Sequence, residues 1–376
     1  MYSLLTIVLP TVFIGSLVIL MVYRNKRLSG ELPQGLFPFL AILFTSGLDV
    51  GLIIFPLTEF SVYASEPPYQ FTNPLAFMFG AWGFLIWILY FFSTFYFCAI
   101  EPKVKIFDIP WVKTINNLAI VSTCAFTAFL FTSYLPDYID GISLASTYLL
   151  AGIVVLAAVY SSTDVRYVRG LSVSSTWVFY GLILGVFLFS GLGFGDLGQS
   201  LVLLSDYFNH LPKFTYAVSD YHGFYLFWWF AWSIMIGQFV ARFVGNLPTW
   251  QLFIALLIFP SIPIALWFSV LHLYYANDIE ISATLNTVMI AVGILFVVNS
   301  LDSLTRLYTQ NLTLTVEKFG RRNYIVLNWL LLCGLVLLYQ FTPFKIEWVG
   351  MVVIGLYIAT AVILFKKRAT WQMGKD

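Results

Sequence analysis

Charge is what this chain has least of. Only 10% of its 376 residues are Asp, Glu, Lys or Arg, while 60% are hydrophobic. Soluble domains carry roughly 25% charged residues, so a large soluble core is excluded and a polytopic membrane protein is indicated. Cysteine is scarcer still. Cys98, Cys124 and Cys333 lie far apart in apolar segments, and neither a disulfide framework nor a metal spacing can be built from them. The formal net charge is +1 with no basic run, which gives no footing for nucleic acid. His210, His222 and His272 share no spacing, and Gly191-Leu192-Gly193-Phe194-Gly195 follows no strand, so it is not a nucleotide loop. With no nucleophile–base pair and no metal cluster, an enzyme is not expected.

Long apolar runs dominate what remains. A helix needs about 20 apolar residues to cross a bilayer, and eleven segments qualify: 4–23, 36–59, 75–99, 112–134, 141–160, 174–193, 222–244, 250–275, 284–305, 322–341 and 347–366. The first is followed by Tyr23-Arg24-Asn25-Lys26-Arg27 and by no small-residue cleavage site, so it reads as a span and not as a cleaved leader. Alternate loops carry opposite charge. One set holds Arg24, Lys26, Arg27, Lys103, Lys105, Lys113, Arg166, Arg169, Arg242, Lys318, Arg321, Arg322, Lys366, Lys367 and Arg368. The other holds Glu59, Glu66, Asp137, Asp140, Asp196, Asp206, Asp278 and Glu280. The positive-inside rule then places the N-terminus outside and the C-terminus in the cytoplasm, as in a multi-pass protein of the plasma (inner) membrane. The Asn311-Leu312-Thr313 sequon falls on the cytoplasmic side and is discounted.

Two interruptions are expected. Ser46-Gly47-Leu48-Asp49-Val50-Gly51 puts a glycine pair around an acid inside the second span. Broken backbone at membrane depth survives only where protein or a water-filled cavity satisfies it, and such breaks in corresponding places of two halves mark transporter sites. Ser233 and Gly237 in the seventh span are the expected second break. Between spans six and seven, SLVLLSDYFNHL reads as an amphipathic helix lying in the interface, within a 199–212 segment that could serve a subunit contact. Gly181 and Gly185 form a GxxxG pair, expected to be a helix-packing contact.

The tryptophans gather. Trp228, Trp229 and Trp232 lie at helical spacing in one span, and Trp82, Trp87 and Tyr90 in another. Indoles usually form belts at the headgroups, but two facing walls of rings would instead make a box for a cation, worth about 2 kcal/mol or more per desolvated contact.

The motifs around these rings carry a resemblance. WWFAWSIMIGQFVAR is similar to the signature helix WWxxWxPFxGxFxAR of the betaine/choline/carnitine transporter family, with Ile234 and Met235 in place of Pro-Phe. AWGFLIWILY resembles that family's HWGxxxWxxY at Trp82, Gly83, Trp87 and Tyr90. SGLDVGLIIF resembles its glycine-rich break AGMGIGLxF, VVNSLDS its FVTSADS, and STCAFT its ATVFGT. VRYVRGLSVSS resembles the cytoplasmic motif after its sixth helix. The order of motifs is kept from about residue 20 onward.

The resemblance implies an all-α polytopic membrane protein of the leucine-transporter type, with two inverted five-helix repeats at 36–193 and 222–366. Around them lie a leading helix and loop at 1–35, an external loop at 194–221 and a cytoplasmic tail at 367–376. The chain would begin at the family's second helix. The resemblance also implies secondary transport of a quaternary ammonium or related amine compound, with sodium (or a proton) as coupling ion, no other cofactor, a membrane-lipid environment and, in many members, a homotrimer.

Site residues follow from the same motifs. Substrate would meet Trp82, Trp87, Tyr90, Trp228, Trp229 and Trp232, together with Gly47, Asp49 and Gly51 of the break. One sodium site is implied at the carbonyls of Thr45, Leu48 and Phe296 with Asn299 and Ser300, and a second at Thr123, Thr127 and Met235. Read from residues alone, these hydroxyls and amides are better explained by bonds to an i−4 carbonyl or a neighbouring helix.

Asp49 replaces the central glycine of the family's break. A mid-membrane carboxylate costs about 2.5–3.5 kcal/mol on insertion scales, so it should be paired or face water. It would repel a substrate carboxylate, and Leu130 stands where the family has a serine that helps hold one. Both departures favour a choline-like cation, with Asp49 neutralising it, binding the driving cation or titrating for proton coupling. The alternatives are an importer of a zwitterion such as glycine betaine, and a non-transporting sensor that binds such ligands. Asp302 is expected to organise a cytoplasmic gate or to pair with Arg306, and Arg242 to join a charge network.

Overall fold

The structure, a computed structural model, describes residues 2–48, 51–139 and 141–367. Asp49, Asp140 and the tail from Arg368 lie outside the described residues. In chain order the helices are α1 (Tyr2–Val22), α2 (Leu36–Ser46), α3 (Gly51–Ser65), α4 (Pro74–Trp82), α5 (Leu85–Ala99), α6 (Glu101–Val104), α7 (Pro110–Tyr138), α8 (Leu144–Ser161), α9 (Val165–Phe189), α10 (Phe194–Leu203), α11 (Ser205–Asn209), α12 (Asp220–Ala241), α13 (Thr249–Ala276), α14 (Ala283–Asn311), α15 (Val316–Phe319), α16 (Arg321–Phe341) and α17 (Ile346–Lys366). A two-residue ladder joins β1 (Arg27–Leu28) to β2 (Leu247–Pro248).

Among the described residues ten helices are long and apolar enough to cross a membrane, and the bent pair α2–α3 makes an eleventh span. Each expected span coincides with one of them. Several start where the sequence supplies a cap for the orphan N–H groups of a first turn. Asn73 accepts from the Ala76 amide ahead of α4, Ser143 from Ser146 ahead of α8, Ser219 from His222 ahead of α12, and Ser282 from Leu285 ahead of α14. The sixth span is displaced from its expected position: α9 begins at Val165, capped by Asp164, and not at 174. Arg166 and Arg169 made that first turn look like loop, yet Asp164 both caps the turn and pairs with Arg166 at 2.6 Å.

Packing partners recur in pairs. α2 packs on α9 as α12 packs on α17; α8 on α14 as α16 on α7; and α9 on α14 as α17 on α7. α13 packs on α2 and α3 as α5 and α4 pack on α12. Those pairings map each helix onto the one five spans later. An odd offset reverses its direction through the membrane, so the two halves are inverted repeats, the architecture of the leucine-transporter fold. α12 and α5 lie at the centre, with nearly every residue of α12 buried, whereas α1 and α16 expose apolar faces such as Ile7, Met21, Leu330 and Leu331 as a lipid-facing helix should.

The second interruption is not where the sequence placed it. α12 runs unbroken through Ser233 and Gly237. Gly237 is instead a point of close approach, its missing side chain leaving room for Ser93 of α5, whose hydroxyl lies 2.7 Å from the Ser233 carbonyl. The break falls in the third span, at Gly83–Phe84, where Phe84 takes a positive φ of 37°. Side chains satisfy the freed amides: Ser261 accepts from Phe84 at 2.9 Å and Tyr207 from Leu85 at 3.3 Å. The GxxxG pair also differs from expectation. A Cβ on Gly181 or Gly185 would meet nothing within 4 Å, and the two glycines border a groove of about 310 Å³ beside α14.

SLVLLSDYFNHL is helical as α10 and α11, with a turn at Leu204. Asp206 ties this connection to the start of α4, accepting from the Thr72 hydroxyl at 2.6 Å and the Asn73 amide at 3.2 Å, with His210 at 3.2 Å. Burial alone would raise the Asp206 pKa, but the Thr72 hydroxyl, the Asn73 amide and His210 outweigh it and hold the carboxyl below its ordinary range.

Candidate functional site

The second span breaks as its glycines suggested. α2 ends at Ser46, α3 begins at Gly51, and the two axes are bent by 52°. Breaking a helix frees carbonyls, and α14 meets them: the Ser300 hydroxyl donates to the Leu48 carbonyl and lies 3.5 Å from that of Thr45. Phe296, one turn earlier on α14, is fully buried and sets its ring edge-on to Phe44 of α2 at 5.7 Å. Three of the five residues implied for the first ion site, Thr45, Leu48 and Ser300, are therefore in mutual contact. Asn299 turns away to α9. Its amide donates to Ser175 at 2.8 Å and its oxygen accepts from Ser172 at 3.3 Å. Ser172 and Ser175 were missed in the sequence, although their three-residue spacing places both on one face of a helix.

Of the second implied ion set, Thr123 and Thr127 lie buried on α7 and Met235 buried on α12. The Thr127 hydroxyl is used by the Thr123 carbonyl at 3.2 Å, but the Thr123 hydroxyl has no partner among the described residues. Leu130, one turn further, is buried and supplies no polar atom.

The aromatic residues converge where α4, α5 and α12 meet the break. Trp82, Trp87, Tyr90, Trp228, Trp229 and Trp232 are all at most 2% exposed. They do not form two facing walls. Trp228 and Trp229 stack on each other at 5.3 Å and 10°, and Trp82 meets both edge-on at 5.5 and 5.2 Å. The break at Gly83 puts Trp82 and Trp87 on different helices, and Trp87 instead meets Tyr90 edge-on at 5.2 Å. Ring edges carry positive charge and ring faces negative charge, so edge-to-face contact holds the set closed on itself. Both break glycines are required by this packing. A Cβ on Gly51 would come within 2.7 Å of the Trp82 ring, and one on Gly47 within 3.2 Å of the Trp87 and Tyr90 rings.

The indole N–H groups divide into two kinds. Trp229 donates to the Ala81 carbonyl at 2.7 Å and Trp87 to that of Trp82 at 3.2 Å. Those of Trp82, Trp228 and Trp232 are buried and have no acceptor among the described residues. Buried donors are nearly always paired, and leaving one unmade costs about 1–3 kcal/mol. Two of these donors, those of Trp82 and Trp228, lie among the interlocked rings, where a ligand with both a cationic head and an acceptor oxygen can meet π face and N–H together.

Contacts between the packed helices close the centre at both ends. On one side Tyr138 of α7 donates to the Ile54 carbonyl at 2.7 Å and Tyr134 packs on Phe55 at 4.3 Å. On the other, Arg242, which caps the C-terminus of α12, donates to Gln310, and to Asn311 at 3.3 Å, while Gln238 accepts from Asn116 at 3.1 Å. Arg242 thus joins an amide network at the end bearing the cationic loops. Beyond it opens a cavity of about 580 Å³ lined by Glu101, Lys105, Lys113, Asn117, Gln238 and Arg242 among others. Asp302 pairs with Arg306 at 2.9 Å, both buried, and Arg306 also reaches the Ser161 and Asp164 carbonyls at the end of α8.

Glu59 is the main correction to the sequence reading. It was grouped with the external loop charges, yet it lies inside α3, only 5% exposed. It accepts from the hydroxyls of Tyr63 at 2.6 Å, Tyr225 at 2.7 Å, and Tyr221. The i,i+4 spacings of Glu59 with Tyr63 and of Tyr221 with Tyr225 were the available signal.

No family model matches the sequence, and no curated protein is significantly similar to it. Solved structures do match. One is Mhp1, a nucleobase-cation-symport-1 family transporter in a closed conformation with bromovinylhydantoin bound, at a TM-score of 0.53 and 11% identity, covering 88% of this chain and 78% of that one. Another is a Na+-coupled sialic acid symporter in a substrate-bound outward-open state, at a TM-score of 0.47 and 12% identity, covering 96% and 83%. The likeness to Mhp1 agrees with the helix pairing in assigning the fold class: a multi-pass membrane protein of the leucine-transporter type. At 11% identity it assigns nothing to the site.

Proposed function

We propose that this chain is a secondary active transporter of the betaine/choline/carnitine type. It imports a quaternary ammonium or related amine compound by alternating access, coupled to sodium or a proton, across the plasma membrane. The N-terminus lies outside in this reading, and the cavity beyond Arg242 is the cytoplasmic vestibule. The observation that carries it is the buried aromatic set closed against a broken helix, with three indole donors unspent. Withdrawal of Trp82 from Trp228 and Trp229 would free ring surface for a cationic head. The Ser300 hydroxyl against the Leu48 and Thr45 carbonyls supports an ion site of hard oxygens at the break, and the fold likeness to a cation-symport family transporter agrees with it.

The unpaired N–H groups of Trp82, Trp228 and Trp232 favour a second reading, a zwitterion such as glycine betaine whose carboxylate would accept from them.

Ligand-dependent thermal stability separates these. A ligand at about 100 times its Kd stabilises the folded state by about 2.7 kcal/mol. Purified protein should melt at higher temperature with choline than with its neutral tert-butyl analogue, which has the same shape without the charge. Equal effects of the two would sink the cation reading, and a larger effect of glycine betaine than of choline would favour the zwitterion.

A further inference from the structure

We propose that Glu59 is a proton-binding site, and that protonating it unlatches α3 from α12 above the aromatic set. An ionised carboxylate only accepts, and the three hydroxyls around it each donate: Tyr63 to Oε2, Tyr221 to Oε1, and Tyr225 to both oxygens at 2.7 and 3.0 Å. The cage is complete for the anion and mismatched for the acid. A carboxyl O–H is a donor, so one tyrosine must turn to accept it or leave. Tyr63 lies on the same helix as Glu59 and Tyr221 and Tyr225 on α12, so a lost donor from α12 loosens the contact between the two helices. The disturbance reaches the candidate substrate site directly, because the Tyr225 ring packs on Trp82 at 5.9 Å and on Trp228 at 5.8 Å.

The surroundings leave the charge without a counter-ion. Among the described residues no Lys, Arg or His nitrogen is within ion-pair distance of Glu59. The ionisable groups facing it are phenols and imidazoles. α12 brings Tyr221 and Tyr225, with His222 turned to Phe77. α7 brings Tyr134 and Tyr138. The turn after α3 brings Tyr69 against Tyr63, and α13 brings His272 and Tyr275 against Phe60. α4, and α14 before Asp302, contain no ionisable residue. An intramembrane carboxylate so placed is costly, and a glutamine would bridge the same helices without charge; a glutamate here makes sense where the proton comes and goes.

The place of this proton in a transport cycle rests on the transporter reading, but its binding does not, so the test uses no substrate. Full-length protein in nanodiscs is titrated with acid while difference infrared spectroscopy follows the carbonyl stretch of a buried carboxylic acid and fluorescence follows the tryptophans. The wild type should show the acid band and a tryptophan change with one midpoint, and Glu59→Gln should lose both. Tyr63→Phe deprives the anion of one donor from a ring away from the tryptophans, so its midpoint should move to higher pH; this variant carries the test if Glu59→Gln does not fold. A band that persists in Glu59→Gln, or a midpoint unmoved in Tyr63→Phe, overturns the proposal. Failure of the transporter reading would show instead as absent uptake with the titration intact.

Discussion

Arg306→Met should abolish recovery of folded, monodisperse protein. Its guanidinium is the only described partner that reaches the buried Asp302 carboxylate as an ion pair, and it also binds the carbonyls of Ser161 and Asp164 where α8 ends. Removing one member of a buried pair strands the other and costs about 3–5 kcal/mol. That is a large share of the stability of a typical domain, about 5–15 kcal/mol. The double variant Asp302→Leu/Arg306→Met removes both charges and should recover part of the loss. It cannot recover all of it, because the carbonyls at the end of α8 lose a cation that suited them. The measurement is the fraction eluting as a single species from size-exclusion chromatography, with its melting temperature. A single variant as stable as wild type would show that the pair bears no load.

Trp228→Leu should lower affinity for a cationic ligand by about 30-fold, the loss of one desolvated π contact at about 2 kcal/mol. Trp228 sits at the crossing of the set, stacked on Trp229 and met edge-on by Trp82. Trp228→Phe sharpens the result. It keeps a ring face and deletes an N–H that has no acceptor in the closed site. For a ligand held by its cationic head alone, the phenylalanine variant should lose much less than the leucine one. A ligand whose oxygen takes that N–H should lose affinity in both. Binding isotherms for choline and glycine betaine read both effects, and unchanged affinity for both ligands in Trp228→Leu would remove the ring from the site.

Where these residues lie was unevenly legible in the sequence. The eleven spans stood out because a membrane demands some 20 apolar residues per crossing and little else in a chain produces that pattern. The break at Gly47–Gly51 was readable because an acid flanked by glycines has no reason to sit in an ordinary span. The second break was not. Gly237 looked like flexibility but makes room for Ser93, while the real interruption at Gly83–Phe84 hid in a run of large apolar residues whose freed amides are bonded by Ser261 and Tyr207, far away in sequence. The aromatic residues were found, but not their interlocking, which depends on Trp82 ending one helix and Trp87 beginning another. Asn299 was placed at the ion site by motif, whereas its partners on α9 can be seen only once α14 packs there. Glu59 was misjudged because a charge near a span end is usually in water; its i,i+4 spacing with Tyr63 was local, but nothing in the sequence brings Tyr221 and Tyr225 of a distant helix to it.

Transport by this protein would be read directly as uptake into proteoliposomes. Radiolabelled choline and glycine betaine are offered to vesicles under imposed sodium or proton gradients, with Ser300→Ala alongside because its hydroxyl closes the carbonyls of the break. One of the two compounds should accumulate above equilibrium under a cation gradient, and Ser300→Ala should lose the accumulation if sodium drives it. Ligand-dependent stabilisation without accumulation under any gradient would contradict transport, and would leave a membrane protein that binds such compounds without moving them.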